Sequence, residues 1–455
     1  MDLINLILYQ LLKAIKLLIE ILPLKFVLQT GKFLGRFAYT VLPQRKEITI
    51  NNLQKAFPEK NRRWARRVTR EVFENFGRNM MEFIKFSSKK LDKHVNTEGL
   101  EKIRDGILLM TGHLGNWEIT GMSIVRAGKE LYPIGRRIHN PAFDKIVDDI
   151  RTALGCSHIP YRGSIKEILS KIKKQKNLCV LIDQRMKTGL PCVFFNRPVW
   201  TTHIVSVLHR RTGVKVIPAF SFHEHGKINV KYDDPLDLID DKDNLKADFV
   251  NTQRQVEWLE KKIRNKPNEW FWMHNFWRDK WPAVFIDRDG TINEDLGYVG
   301  KVKDLKFIPG VMDALRKLRR AGYLLIVVTN QAGIARGYYT ERDYIKVNEY
   351  FLKSLKDEGV IIDRVYYCPH HPDAGCSCRK PNPGMIRKAC SELNIDLERS
   401  FVIGDKASDM NLGKNMNIKE IMVMTGYGKE EIKKVEPYLR ADDLPGAARI
   451  ILDMK

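Results

Sequence analysis

The spacing of apolar residues changes along the chain, and it predicts helices first and alternating strands and helices afterwards. Residues 1–24 are strongly apolar apart from a narrow polar stripe at intervals of three and four, which predicts an amphipathic helix. Helical spacing returns over 47–57 and 61–85, and we expect mainly helix from residue 31 to about residue 93. Short apolar runs then alternate with amphipathic stretches, which is the pattern of an α/β fold.

The short apolar runs predict buried strands, because polar or turn residues bound each of them. The expected strands are 107–111, 284–286, 324–328, 365–367 and 401–404. Amphipathic helices are expected over 311–320 and 341–356. Strand–helix units with polar residues at the strand ends predict a doubly wound parallel sheet in the second half of the chain.

The chain has 455 residues, which is long enough for two or three domains, and its charge is unevenly distributed. The formal net charge is +23. Residues 1–280 hold 50 lysines and arginines against 30 acidic residues, whereas residues 281–455 hold 28 against 25. The first half should therefore meet an anionic partner, and charge alone leaves nucleic acid, an acidic membrane face and an acidic carrier protein open.

The apolar N-terminus differs from both a membrane span and a signal peptide. Lys13, Lys16 and Glu20 interrupt it, so no window of 18 residues is free of charge. No A-x-A-like cleavage site follows it, which argues against a secretory signal peptide. Two interpretations remain open: a helix that lies in, or dips into, a bilayer surface, which we prefer, and a core helix packed on the following domain.

A histidine and a glutamate follow the predicted strand 107–111. His113 and Glu118 lie in the segment Gly112-His-Leu-Gly-Asn-Trp-Glu118, at a turn from strand to helix. An imidazole held through one nitrogen can take a proton from a substrate hydroxyl with the other, which makes that hydroxyl a nucleophile towards a thioester. We expect Glu118, about one helical turn further on, to hold the ring.

This segment resembles the H-x4-D/E motif of glycerolipid acyltransferases, in the form used by the late (lauroyl/myristoyl-type) acyltransferases of lipid A biosynthesis. The resemblance continues to about Trp277. Its further blocks are Gly135-Arg-Arg-Ile-His-Asn-Pro141, Leu181-Ile-Asp-Gln184, Phe194-Phe-Asn-Arg-Pro198, Val216-Ile-Pro218 and Trp270-Phe-Trp-Met-His274.

The acyltransferase resemblance implies a role for each matched polar residue. His113 would be the base and Glu118 its orienter. Arg136 would bind phosphate or steady the oxyanion, and Asp183 would shape the site. Asn196 stands where the family usually has glycine, which leaves the identity of the acceptor open.

Two aspartates end the strand predicted over 284–286. They are Asp287 and Asp289, in the segment Asp287-Arg-Asp-Gly-Thr291. Two such carboxylates suit a Mg²⁺-assisted phosphoryl transfer, in which one attacks phosphorus and the other shuttles the proton of the leaving group. The alternative is a strand that ends in a solvated Asp-Gly turn.

Later strand ends carry partners for this chemistry. Thr329 and Asn330 can bind phosphoryl oxygens, and Arg336 is available to a phosphate. Asp405 follows the strand 401–404, with Asp409 four residues later. We expect Asp405 to complete a Mg²⁺ shell with the two aspartates of the first strand, Asp287 and Asp289.

A cysteine-rich loop lies between these strands. Three thiolates and one imidazole within eleven residues suit a closed, structural Zn²⁺ site in a reducing cytoplasm. The expected ligands are Cys368, His370, Cys376 and Cys378, with His371 as the spare histidine. The metal would place Arg379 and Lys380 over the aspartates, where Lys380 would stabilise the charge of a phospho-aspartate.

These motifs resemble the haloacid dehalogenase superfamily, and within it the D-glycero-D-manno-heptose 1,7-bisphosphate phosphatases, over roughly 282–430. The matching segments are Asp287–Thr291, Asn293, Gly297-Tyr-Val299, Thr329-Asn-Gln-Ala-Gly333, the cysteine-rich loop, Arg379-Lys-Pro-Asn-Pro-Gly384 and Gly404-Asp-Lys406. The resemblance implies that Asp287 is the nucleophile, Asp289 the acid/base and Asp405 a metal ligand. Histidinol-phosphate phosphatases share the fold and similar loops, so they remain the alternative.

Together these features predict a bifunctional enzyme of lipopolysaccharide biosynthesis. We expect a membrane-associated amphipathic helix in 1–30, a lipid A acyltransferase-like α/β domain in 31–280, and a haloacid dehalogenase-like sugar bisphosphate phosphatase domain in 281–455. The expected reactions are acyl transfer from acyl carrier protein to a hydroxyl of a lipid A-type precursor, and hydrolysis of the C7 phosphate of the heptose bisphosphate. They would take place at the cytoplasmic face of the inner membrane.

Other functions remain open for the first half. It would then acylate a different phospholipid or glycolipid, or serve as a membrane module without catalysis. A nucleic-acid partner is not expected, because no nucleic-acid motif accompanies the basic charge.

Overall fold

The computed structural model describes residues 2–85, 93–160, 165–186 and 188–454. Part of the stretch expected to be helical, 86–92, lies outside the described residues. The chain divides into two compact units. The first unit consists of Met1–Gly189, Thr201–Asp240 and Asn251–Phe276, and the second of Leu190–Trp200, Asp241–Val250 and Trp277–Lys455.

The first unit begins with helices, as expected. They are α1 (Leu3–Ile21), α2 (Leu24–Val41), α3 (Pro43–Ala56) and α4 (Arg62–Lys85). Asp2 caps α1 by accepting a hydrogen bond from the backbone N–H of Asn5 at 2.8 Å, and proline starts α3 at the position where its missing N–H costs nothing. α2 and α4 pack closely because glycines face the contact: a Cβ added to Gly35 would lie 2.2 Å from the carbonyl oxygen of Phe73.

The sheet of the first unit is mixed and mostly parallel, which confirms the expected α/β class. Its strands are β1 (Val95–Glu98), β2 (Ile107–Thr111), β3 (Leu131–Gly135), β4 (Ile159–Pro160), β5 (Asn177–Leu181), β8 (Lys215–Glu224) and β9 (Lys227–Tyr232). The strands between β5 and β8, β6 (Leu190–Phe194) and β7 (Arg197–Thr201), form a separate pair. Within the described residues the strand order is β1-β9-β8-β2-β5-β3-β4. β8 and β9 are antiparallel, whereas the pairs β1–β9, β2–β8, β2–β5, β3–β5 and β3–β4 are parallel.

Helices connect and cover these strands. They are α5 (Trp117–Arg126), α6 (Pro141–Ala153), α7 (Ile165–Lys173), α8 (Ile204–Thr212) and the part of α9 (Asn244–Asn265) from Asn251 onward. β2 is buried along its whole length, as a central parallel strand covered on both faces should be. The carboxyl ends of β2 and its parallel neighbour β5 therefore meet at one edge of the sheet.

The second unit is a doubly wound parallel sheet, as the sequence predicts. Its strands are β10 (Trp281–Ile286), β11 (Leu324–Asn330), β12 (Arg364–Cys368), β13 (Ile395–Gly404), β14 (Lys419–Val423) and β15 (Leu439–Ala441), and among the described residues their order is β12-β11-β10-β13-β14-β15. Its helices are α10 (Val311–Arg320), α11 (Glu341–Asp357), α12 (Gly384–Glu392), α13 (Ala407–Met416), α14 (Gly428–Glu431) and α15 (Leu444–Asp453). A separate pair of strands, β6 (Leu190–Phe194) and β7 (Arg197–Thr201), joins this unit through its residues 190–200.

Alternate side chains of β10 enter two different cores, one on each face of the sheet. Val284 and Ile286 belong to one buried cluster, and Ala283 and Phe285 belong to the other. With both faces covered, polar chemistry belongs at the edges of the sheet, and in doubly wound folds ligands bind at the carboxyl ends of the strands. Asp287 is the first residue beyond β10 at that edge.

Among the residues that the structure describes, no helix combines the length and the apolar character needed to cross a membrane.

Candidate active sites

The loop after β2 carries His113 to the carboxyl edge of the first sheet. Asn116 ends this loop and caps α5, because its side chain accepts a hydrogen bond from the backbone N–H of Ile119 at 3.3 Å. Gly115 has a φ of +62°, and a Cβ there would lie 1.9 Å from the carbonyl oxygen of Ser221. Only glycine therefore permits this close approach of the loop to β8.

Asp183, just beyond β5, holds the imidazole of His113. Its Oδ1 lies 2.8 Å from His113 Nδ1, and its Oδ2 accepts a hydrogen bond from the backbone N–H of His113 at 2.6 Å. Trp270 Nε1 donates to the same Oδ2 at 2.7 Å. Since an ionised carboxylate only accepts hydrogen bonds, Nδ1 carries the proton and Nε2 is left with its lone pair.

Asp183 is ionised although it is buried. Burial by itself would raise the pKa of this carboxyl, but the His113 ring and the hydrogen bonds from Trp270 and from the His113 backbone lower it below its usual value. A Cβ on Gly112 would lie 2.9 Å from Asp183 Oδ2. The glycine before His113 thus makes room for the carboxylate that orients it.

The expectation that Glu118 orients His113 is wrong in this structure. Glu118 Oε2 accepts a hydrogen bond from Arg151 Nε at 3.0 Å, and the two residues form an ion pair. Glu118 lies in the first turn of α5, where its side chain reaches α6, whereas His113 lies in the loop before the helix. The end of the neighbouring parallel strand supplies the nearer carboxylate.

A cavity of about 130 Å³ opens beside the imidazole. Its lining includes His113, Trp117, Arg136, Arg151, His158 and Gln184. The His113 ring packs against Trp117 with 4.7 Å between ring centroids, and 17% of its side chain remains exposed. Burial lowers the pKa of His158, and the charge of Arg151 lowers it further. Arg136, the expected ligand of phosphate or oxyanion, is exposed and lies in this lining.

The second site gathers carboxylates and one lysine at the carboxyl edge of the second sheet. Lys380 Nζ lies 2.9 Å from Asp287 Oδ1 and 2.6 Å from Asp409 Oδ1, and it donates to the carbonyl oxygen of Val328 at 2.8 Å. Asp287, Asp405 and Asp409 come close enough together to share a metal ion. Asp405 follows β13, which is the parallel neighbour of β10, so the two strand ends bring Asp405 to Asp287.

Three properties of these carboxylates favour a bound cation: their raised pKa values, an oxygen without a hydrogen-bond partner, and the space beside it. Burial and the neighbouring charges of Asp287 and Asp409 raise the pKa of Asp405 to about 7, and burial also raises the pKa of Asp409 to about 6. Asp405 Oδ1 is buried without a hydrogen-bond partner. Gly290 leaves space beside this carboxylate, because a Cβ there would lie 2.3 Å from Asp405 Oδ2. Such an oxygen-rich set is what Mg²⁺ prefers.

Asp289, an expected metal ligand, turns its side chain to other partners. Arg288 donates two hydrogen bonds to it at 3.0 and 2.9 Å, and Asn293 and Gln331 donate one each at 2.9 and 2.8 Å. Burial would raise its pKa, but the Arg288 guanidinium outweighs burial and lowers it. The structure therefore groups Asp409, and not the Asp289 carboxylate, with Asp287 and Asp405.

The residues expected to bind phosphate range from buried to exposed. Thr329 is buried and accepts a hydrogen bond from Gln331 Nε2 at 2.9 Å. Asn330 pairs with the backbone of Lys380 in both directions, at 3.3 and 3.1 Å, so it holds that lysine in place. Arg379 is half-buried, with an Nη1 that lacks a hydrogen-bond partner, whereas Arg336 is exposed on its loop.

The four expected zinc ligands lie together. Cys368 Sγ is 3.5 Å from Cys376 Sγ and 3.5 Å from His370 Nδ1, and Cys378 Sγ is 3.2 Å from His370 Nδ1. The spare histidine, His371, faces Asp373 instead. These spacings are close to the edge of a tetrahedron with metal–sulfur bonds of about 2.3 Å, so the cluster fits a zinc ion.

Sequence reasoning missed the roles of three residues in these sites. Asp183 orients the histidine, while Arg288 and Gln331 position Asp289. Arg288 is fully buried, which is exceptional for an arginine and required by its carboxylate partner. The sequence did contain a signal for Arg288, which lies between the two aspartates at the end of the strand. A solvated turn would accept any residue at this position, so an arginine there could have been read as the partner of a carboxylate.

Comparisons with known proteins identify both halves of the chain. A model of the bacterial lipid A biosynthesis acyltransferases matches residues 4–279, and a model of HAD-hydrolase-like domains matches residues 377–447. The chain is 43% identical over 180 residues to the D-glycero-beta-D-manno-heptose-1,7-bisphosphate 7-phosphatase of Pasteurella multocida, covering 38% of this chain and 98% of that protein. The enzyme of the same name from Photorhabdus laumondii is 50% identical over 153 residues, covering 32% and 81%.

Among solved structures, the chain is similar to a D,D-heptose 1,7-bisphosphate phosphatase from B. bronchiseptica complexed with magnesium and phosphate. The two are 29% identical with a TM-score of 0.37, over 38% of this chain and 99% of that one. The family match covers most of the chain, and the phosphatase relatives are matched over nearly their whole length. The chain therefore belongs to the bacterial lipid A biosynthesis acyltransferase family, and it is an enzyme that joins an acyltransferase domain of that family to a haloacid dehalogenase-like phosphatase domain.

Proposed function

We propose that this enzyme acylates a lipid A-type glycolipid with acyl carrier protein as donor, and that it hydrolyses the C7 phosphate of D-glycero-β-D-manno-heptose 1,7-bisphosphate. One observation carries the proposal: a single chain holds an oriented histidine in a lipid A acyltransferase domain and a carboxylate–lysine site in a phosphatase domain. The relatives' names support the heptose substrate and its β anomer over histidinol phosphate.

Acyl transfer would use His113 as the base. Its Nε2 takes the proton of the acceptor hydroxyl, and the hydroxyl oxygen attacks the thioester carbonyl. The tetrahedral intermediate collapses, the C–S bond breaks, and the carrier thiol leaves with the proton from His113. Asp183 holds the ring in the required tautomer and stabilises the imidazolium that forms between the two proton transfers.

Phosphate hydrolysis would proceed through Asp287. Its carboxylate attacks phosphorus, and the bond from phosphorus to the sugar oxygen breaks as Asp289 gives that oxygen a proton. Lys380 stabilises the charge on the resulting aspartyl phosphate. Water then attacks phosphorus, Asp289 takes a proton from that water, and phosphate leaves. The Arg288–Asp289 ion pair supports the base step, because it lowers the pKa of Asp289 and so favours the ionised form.

Two metals are part of the proposal. Asp287, Asp405 and Asp409 would hold Mg²⁺, which neutralises charge between carboxylate and phosphate. Cys368, His370, Cys376 and Cys378 would hold a structural Zn²⁺. The cysteine-rich loop is followed directly by Arg379 and Lys380. A metal ion that makes this loop rigid would therefore also fix the position of Lys380, which contacts Asp287.

Membrane attachment at the cytoplasmic face of the inner membrane is proposed from the N-terminal helices. One side of α1 is packed, with Tyr9 and Ile19 buried, whereas the opposite side exposes large apolar residues. The exposed side chains include Ile4 at 78%, Ile7 at 61%, Leu18 at 57% and, in α2, Phe33 at 66%. An apolar face of this kind suits the interface of a bilayer.

Exposed arginines of α4 suit the anionic partners of acyl transfer. Arg63 and Arg66 are exposed on this helix. An acidic carrier protein or an anionic lipid would be attracted to them over short distances.

Replacing Asp183 should damage acyl transfer far more than replacing Glu118. Asp183→Asn removes the acceptor that fixes the tautomer, so kcat should fall by about 10²- to 10⁴-fold. Glu118→Gln, the matched control, leaves the His113–Asp183 contact in place and should cost much less. Transfer from acyl carrier protein to a lipid A-type acceptor would be measured in purified variants. An equal loss in both, or a greater loss in Glu118→Gln, would contradict the assignment of Asp183 as orienter.

The two reactions should be separable by single substitutions. His113→Ala should abolish acyl transfer and leave phosphate release unchanged, and Asp287→Asn should do the reverse. Phosphate release would be measured with both anomers of the heptose bisphosphate and with histidinol phosphate. Preference for histidinol phosphate would reject the sugar substrate, and phosphate release by Asp287→Asn at the normal rate would reject the nucleophile.

Metal analysis should find about one zinc ion per chain, as four ligands of this type bind one ion. Cys376→Ser should lose it, since a serine hydroxyl is a poor ligand for zinc. Cys390→Ser is the matched control, because this cysteine lies outside the cluster. Full zinc content in the Cys376→Ser protein would rule out the cluster as the binding site.

The triple variant Ile4→Glu, Ile7→Glu and Leu18→Glu should weaken binding to anionic phospholipid vesicles at least about tenfold, because charge replaces the apolar face. Tyr438→Glu, at a residue 55% exposed in the second unit, is the control and should bind like the wild type. Cosedimentation with the vesicles measures both. Undiminished binding of the triple variant would exclude α1 as the attachment site.

A further inference from the structure

A buried cluster of charges lies in the first unit, separate from the His113–Asp183 pair. His223 of β8 stands between two glutamates, with its Nε2 3.0 Å from the carboxylate of Glu82 in α4 and its Nδ1 3.0 Å from Oε2 of Glu269. The side chains of these three residues are 9%, 3% and 4% exposed. Arg78 is a further charged side chain near both glutamates, 3.8 Å from each of them.

Contacts of both ring nitrogens with carboxylates require the protonated form of His223. A neutral imidazole has one N–H and can donate to one glutamate only, whereas the imidazolium donates to both. Burial lowers the pKa of His223, but the charges of Glu82 and Glu269 outweigh burial and raise it. Stability alone does not account for such a cluster, because well-packed apolar residues of similar volume often stabilise a protein equally.

Both glutamates are connected to the loop that carries His113. Asn116, at the end of the loop, donates from Nδ2 to Glu82 Oε2 at 3.0 Å. The backbone N–H of Gly115 donates to the carbonyl oxygen of Glu269 at 2.9 Å. Two residues further on, the N–H of Phe271 donates to the carbonyl oxygen of His113 at 3.0 Å. The loop is thus held from two sides, one through α4 and one through the segment 269–271.

We propose that His223 is a positioning residue for acyl transfer, which ties Glu82 and Glu269 together and so fixes the loop 112–116 with its catalytic histidine. The inference rests on the proposed acyl transfer by His113. His223 does not reach the reacting atoms itself. It acts through Asn116 and Gly115, whose hydrogen bonds set the position of the loop relative to Asp183.

The proposal makes acyl transfer sensitive to the protonation of His223. The bridge is complete below the ordinary histidine pKa of 6.5 and is lost as the pH rises through the raised pKa of the folded protein. The charged groups that face the ring are Glu82 and Arg78 from α4 and Glu269 from the turn before Trp270. Loss of the proton frees one glutamate and with it one side of the loop.

Glu82→Gln tests the bridge with the least disturbance. Glutamine can still accept from Asn116 and from the ring, but it removes one of the two charges that hold the proton on His223. The alkaline limb of the kcat profile for acyl transfer should therefore move to lower pH, and the ¹⁵N signals of the His223 ring should titrate at lower pH in parallel. Glu224→Gln, on the exposed neighbour of His223 paired with Lys266, should change neither.

His223→Gln provides the second measurement. Its kcat should fall about 10- to 100-fold, because a displacement of about 1 Å can cost this much, while the KM for the acyl donor stays close to that of the wild type. Circular dichroism and thermal unfolding of the same protein should match the wild type, which shows that the first unit, where His223 lies, is folded. An unmoved alkaline limb in Glu82→Gln, or a normal kcat in His223→Gln, would overturn the positioning role. A wild-type protein without acyl transfer would instead overturn the proposed function.

Discussion

Both candidate active sites depend on carboxylates that are buried where parallel strands end. A carboxylate that has lost its water must find hydrogen-bond donors or cations close by, since an unpaired buried charge costs several kcal/mol. Asp183 finds the His113 ring, the His113 backbone and Trp270, and Asp287 finds Lys380. The contacts that stabilise these buried charges also fix the positions of the side chains in each site. The same interactions therefore contribute to the stability of the fold and to the geometry of the site.

The two sites use this constraint in opposite ways. In the first, one carboxylate is fully satisfied, and its contact with Nδ1 leaves the lone pair of His113 on Nε2, beside a cavity. In the second, three carboxylates come together and Lys380 contacts two of them, Asp287 and Asp409, so the buried carboxylates outnumber the lysine that pairs with them. A site with excess buried negative charge is incomplete without a cation, and a site with a satisfied carboxylate needs none for proton transfer.

The secondary structure and most of the reactive residues could be predicted from the sequence, because they depend on local order. The strand before Asp287 is an apolar run that ends in a turn, and β10 ends at Ile286 as expected. The helices expected over 311–320 and 341–356 are α10 and α11. The cysteine-rich loop was predictable for the same reason, since its ligands are close together in the chain. Its four side chains do meet.

The sequence by itself determined which strands end in reactive side chains, since hydrophobic spacing and neighbouring residues are local properties. Only the tertiary structure decided which of those side chains meet. Asp183 lies 70 residues from His113 along the chain, yet β5 and β2 are neighbours in the sheet, so Asp183 replaces the sequence-near Glu118 as the partner of the histidine. Asp409 likewise joins Asp287, while Arg288 and Gln331 draw the side chain of Asp289 away. The order of the strands in the sheet brings the ends of distant strands together. The separation of residues along the chain gives no information about that order.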